Sequence, residues 1–122
     1  MKALVAAVAA VALLTGCGGG GSSSSGQPAG SIKVTLTEYK FDPATINASS
    51  GKVVFYLVNS GTSSHDMIIR DSSNNRVDGS DLISAGDTFI FTVNNISAGK
   101  YTYFCNQAGH EALGMIGSLT IS

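Results

Sequence analysis

Apolar residues two apart, in short runs broken by turn-forming pairs, constrain the fold of this chain more than any other feature. Ile32, Val34 and Leu36 alternate with Lys33, Thr35 and Thr37; Phe89, Phe91 and Val93 alternate with Thr88, Ile90 and Thr92. Side chains two apart share one face of a strand, so each run predicts a strand with one face in a core. Residues 53–58 form a continuous apolar run of strand length, as expected where both faces are buried. Residues 67–69, 101–105 and 116–121 read as further strands. Turn signals separate the runs at Asp42-Pro43, Ser50-Gly51, Asn59-Ser60-Gly61, Asn74-Asn75, Ala85-Gly86-Asp87 and Ala98-Gly99-Lys100. About six to eight short strands, with turns roughly every ten residues, predict an all-β Greek-key sandwich. At most one helical turn is expected, at Glu111 to Leu113.

Composition narrows the function classes. A formal net charge of −1 with few charges of either sign argues against nucleic acid, whose phosphates require a basic face. Nor is the chain acidic enough to read as a disordered tail.

The first residues do not look like part of the fold. Residues 3–14 are apolar throughout and follow Lys2. As a helix they would reach only about 18 Å, against a hydrocarbon core of about 30 Å. They read as the core of a signal peptide. The run ends Leu14-Thr15-Gly16-Cys17, which resembles the bacterial lipobox. That resemblance implies that residues 1–16 are removed and that Cys17 carries lipid. From Gly18 to Ser31 the sequence is GGGGSSSSGQPAGS, which can build no core and stays flexible, spanning on the order of 20 Å. The expected organisation is a signal peptide at 1–16, a lipidated cysteine and tether at 17–31, and one domain at 32–122.

If Cys17 is acylated, Cys105 stands alone in an oxidising compartment. An unpaired thiol in an exported protein calls for a reason. Its surroundings supply one. A predicted strand runs into Cys105; His110 follows five residues on, Met115 five further, and another strand starts at once. A loop joining two strands of one sheet can aim thiolate, imidazole and thioether at a single point. The one other histidine, His65, follows an Asn-x-Gly loop at residues 59–61. Two histidines and a cysteine with a weak axial methionine form the donor set of a blue-copper site. Each residue alone has an ordinary explanation, Met115 as core filler and the histidines as surface groups. Their order and spacing together favour copper.

These residues resemble the cupredoxins, the family of plastocyanin, azurin, rusticyanin, auracyanin and sulfocyanin. The resemblance covers nearly all of residues 32–122. It implies that His65, Cys105 and His110 are the strong ligands of one type 1 copper and that Met115 is the axial ligand. It also implies single-electron transfer without catalysis, with partners such as c-type cytochromes, quinol-oxidising complexes or terminal oxidases. With the lipid anchor, the expected place is the periplasmic or cell-surface side of a membrane, and the expected state is a monomer. One departure stands out. Asp66 follows His65 where several members have an asparagine that ties the two ligand loops together. Ionised aspartate accepts but does not donate, so it does not reproduce every bond an asparagine brace makes.

Three other functions fit the sequence less well. For a hydrolase, His110-Glu111 opens like a zincin helix but has Gly114 where the second histidine belongs. Ser64-His65-Asp66 are consecutive, and neighbouring strand residues point to opposite faces, so they form no relay. Copper delivery or storage would favour a site rich in Met or His, whereas the chain has three methionines and two histidines. A metal-free adhesion sandwich would leave Cys105 as a plain core residue.

Overall fold

The computed structural model describes residues 26–122. The expected signal peptide, Cys17 and most of the expected tether lie outside the described residues. Nine strands follow in chain order: β1 (Ile32–Thr37), β2 (Lys40–Asp42), β3 (Thr45–Ala48), β4 (Gly51–Asn59), β5 (Ile68–Asp71), β6 (Arg76–Gly79), β7 (Thr88–Ile96), β8 (Gly99–Phe104) and β9 (Ile116–Ile121). They form two sheets, ordered β2-β1-β4-β7 and β3-β9-β8-β5-β6. There is no helix among the described residues, hence none that is long and apolar enough to cross a membrane.

The alternation predicts the inward faces correctly. Val34 and Leu36 of β1, Phe55 and Leu57 of β4, Phe91 and Val93 of β7, and Leu119 and Ile121 of β9 join one buried cluster between the sheets. Removing each such side chain from water contributes about 1.5–3 kcal/mol. The run at 53–58 is less symmetric than expected: Val54 and Val58 on its outer face are only half-buried. The strand count exceeds the expected six to eight because β2, β3 and β6 are only three or four residues long. Pairs that short carry too few alternations to register as strands, and Asp42-Pro43 reads locally as a turn.

Two parallel pairings shape the molecule. β1 runs parallel to β4, and β3 runs parallel to β9. The short β2–β3 passage therefore carries the chain from one sheet to the other. Tyr103 fastens this passage. Fully buried in β8, it packs its ring edge-on against Phe41 at 5.1 Å, and its hydroxyl donates to the Pro43 carbonyl at 2.7 Å. Burial pushes its phenol well above the usual range. Replacing Tyr103 by Phe should keep the ring packing and lose this bond, lowering stability by about 1 kcal/mol. Urea unfolding would show it as a lower midpoint at unchanged slope; an unchanged midpoint would mean the bond contributes nothing.

Candidate metal centre

The antiparallel register of β8 and β9 brings the ends of the His110 loop together. Phe104 pairs with Ile116 as the last partners of the ladder. One step beyond, the Cys105 N–H donates to the Met115 carbonyl at 3.2 Å. Cys105 and Met115, ten apart in sequence, are therefore neighbours, and both are buried. The residues between them fold back in tight turns. Leu113 N–H reaches the Gly109 carbonyl at 3.1 Å and Met115 N–H reaches the His110 carbonyl at 3.1 Å. Gly109 (φ 79°) and Gly114 (φ 110°) take the left-handed conformations that these turns need. The single helical turn expected at Glu111 to Leu113 thus appears as part of this chain of turns.

His65 arrives from the β4–β5 connection. It exchanges two backbone hydrogen bonds with Ile83, at 3.0 and 2.8 Å, and is fully buried. Asn59, the first residue of the Asn-x-Gly motif, organises the approach. Its buried amide donates to the carbonyls of Ser63 and Ile83, both at 2.8 Å, and its oxygen accepts from Gly61 N–H at 3.0 Å.

Three of the four residues singled out from sequence meet by their donor atoms. His65 Nδ1 lies 3.2 Å from His110 Nδ1 and 3.8 Å from Cys105 Sγ, and His110 Nδ1 lies 3.4 Å from Cys105 Sγ. A point equidistant from all three would be about 2.0 Å from each, the length of a metal–imidazole bond. Met115 belongs to the same buried cluster as Cys105. The donors are one soft thiolate, two imidazoles and a nearby thioether, a set that fits one type 1 copper.

Burial pushes the Cys105 thiol up, while the backbone amides of Asp66 and Gln107 pull it the other way. The charge and side chain of Asp66 also raise it.

The open question at Asp66 resolves in favour of a brace. Its Oδ1 accepts from Asn106 N–H at 2.6 Å, tying the His65 segment to the residue after Cys105. Acceptance alone suffices for this bond, so aspartate serves. A second tie comes from Arg70 on β5, which pairs with Glu111 and lies over the Phe104 ring at 4.4 Å.

Two neighbours escaped the sequence analysis, Glu38 and Tyr39 in the β1–β2 turn. Glu38 Oε1 accepts from His65 Nε2 at 3.1 Å and from the amides of Thr62 and Ser63 at 2.8 and 2.6 Å. The Ser63 amide is the main cause that lowers its carboxyl to about 2. The Tyr39 ring meets the His110 ring edge-on at 5.0 Å. No local motif announces either contact, because each joins segments far apart in the chain.

A sandwich whose paired strand ends gather two histidines and a cysteine into one triangle defines a blue-copper class of protein. Comparison with known families agrees. The chain matches the family described as Cupredoxin-like domain over residues 4–117, and it belongs to that family. No curated protein matches it. Among solved structures, dithionite-reduced auracyanin from the photosynthetic bacterium Roseiflexus castenholzii is 16% identical. That match covers 79% of this chain and 99% of auracyanin, with a TM-score of 0.68. Auracyanin A, a blue copper protein from the green thermophilic photosynthetic bacterium Chloroflexus aurantiacus, is 21% identical, covering 75% and 98%, with a TM-score of 0.65. A blue copper oxidase from Nitrosomonas europaea is 19% identical, with a TM-score of 0.63; the match covers 75% of this chain but 38% of the oxidase. At these identities the likeness is one of fold.

The Asp66 brace makes a prediction. Asp66→Ala leaves the Asn106 N–H without its partner and should destabilise the copper-free protein by about 1–3 kcal/mol. Asp66→Asn keeps an accepting oxygen and should recover most of that loss in urea unfolding. Equal stability of all three proteins would show that the brace carries no weight.

Proposed function

We propose that this protein is a single-electron carrier in which His65, Cys105 and His110 would hold one copper, with Met115 as a weaker fourth donor. The observation that carries the reading is the convergence of three metal-binding atoms within 4.8 Å of one another on two braced loops. Copper, when bound, supplies a one-electron couple between Cu(I) and Cu(II). The chain supplies what makes the couple fast. His65, Cys105 and Met115 are at most 1% exposed, so water is kept from the donors. Their backbones are tied by the β8–β9 ladder and the His65–Ile83 bridge, so the donors have little freedom to rearrange between oxidation states. The amides of Asp66 and Gln107 stabilise the sulfur's negative charge, one of the levers on potential at such sites.

The same burial favours electron transfer over catalysis. A substrate would have to reach a centre with three of its four donors closed to solvent, whereas an electron needs only a coupled edge. His110 provides that edge. It is half-buried on a loop whose Leu113 is 61% exposed, and Tyr39, 38% exposed, stands against its ring. A small apolar surface of this kind suits a brief contact with a redox partner. Partners of the proposed carrier are c-type cytochromes, quinol-oxidising complexes or terminal oxidases. Lipid on Cys17 and the Gly/Ser tether would hold a monomeric carrier on the exported face of a membrane, at high local concentration near such partners.

Leu113→Asp tests the docking surface. Stopped-flow mixing with a c-type cytochrome should show transfer about tenfold slower, equivalent to about 1.4 kcal/mol on the barrier, while the copper absorption spectrum stays as in the wild type. Unchanged transfer would remove the patch from the account.

A further inference from the structure

The β1–β2 turn is a third structural support of the centre, beside the two loops that carry the donors. Its two adjacent residues touch both imidazoles: Glu38 the ring of His65, Tyr39 the ring of His110. The Glu38 contact is the more consequential. One oxygen of its carboxylate gathers Thr62 N–H, Ser63 N–H and His65 Nε2. The first two bonds fix the carboxylate on the β4–β5 connection. The third addresses the ring nitrogen of His65 that does not face Cys105.

We propose that Glu38 is a positioning residue that sets the tautomer of His65 and biases the bound copper toward its oxidised state. The proposal rests on the copper reading above. A carboxylate has no proton to give at neutral pH, so the Glu38–His65 bond requires the proton on Nε2. That leaves the Nδ1 lone pair facing His110 and Cys105, as a metal ligand needs. A carboxylate bonded to the outer nitrogen of a metal-binding histidine also raises the ligand's basicity. Its negative charge favours the more positive metal ion, so it lowers the reduction potential.

Gly61 shows that room has been left for this contact. A Cβ at position 61 would come within 2.5–2.8 Å of the Glu38 carboxyl atoms. Any larger residue there would displace the carboxylate from its three partners. The small residue of the Asn59-x-Gly61 motif thus serves the remote Glu38 as well as the local turn.

The test uses the full chain loaded with Cu(II). Glu38→Gln keeps an oxygen for the two amides and removes the charge. It should leave the visible spectrum in place while raising the midpoint potential by about 59 mV, a tenfold shift in Cu(II)/Cu(I) preference. Gly61→Ala, which displaces the carboxylate without changing it, should move the potential in the same direction. Nitrogen-15 NMR of the wild-type copper-free protein should show the His65 proton on Nε2. A potential unchanged in both variants, or the proton on Nδ1, would overturn the proposal. A wild-type protein that forms no copper–thiolate absorption would instead overturn the copper reading itself, so the two failures are distinguishable.

Discussion

The pairing of β8 with β9 is the constraint on which the rest of the centre depends. Its register decides that Cys105 and Met115 face one another one step beyond the last rung, and hence that the nine intervening residues must fold back as a loop. A slip of one residue would turn every side chain of β9 to the opposite face. Leu119 and Ile121 would leave the core, and Met115 would no longer lie opposite Cys105. The core therefore enforces the site: the burial that holds the sandwich together also fixes where sulfur and imidazole meet.

A second layer of contacts converts proximity into rigidity. Asp66 ties the His65 segment to Asn106, Arg70 ties β5 to Glu111, and Glu38 ties the β1–β2 turn to His65. None of these side chains belongs to the donor set. Each reaches across from a different segment, so moving any one ligand means breaking contacts to another. For a metal whose two oxidation states prefer different geometries, such a frame limits rearrangement at each transfer.

How much of this was legible in the sequence follows from the range of each signal. The strands that position the donors are long alternating runs, and their inward faces are visible from Val34, Leu36, Phe91 and Val93 alone. The candidate donors Cys105, His110 and Met115 lie on one loop, so spacing and chemistry together single them out. His65 is remote, yet the composition leaves no other histidine. The short strands β2, β3 and β6 were missed because three or four residues hold too little periodicity. Glu38 was missed for a different reason. Its role exists only because β1 runs parallel to β4, which sets the β1–β2 turn beside the β4–β5 connection, and no local pattern encodes that neighbourhood. Asp66 was seen, but its effect turned on a single question of hydrogen-bond direction that only the Asn106 amide answers.

The central claim is that Cys105 and the two histidines bind copper as one unit. The most direct measurement is a Cu(II) titration of the full chain followed by visible absorption, with Cys105→Ala alongside. The account predicts an intense blue band that saturates at one copper per chain and is absent from the variant. A colourless wild type, or the same weak colour in both proteins, would contradict it and leave a β-sandwich whose buried cysteine is only part of the core.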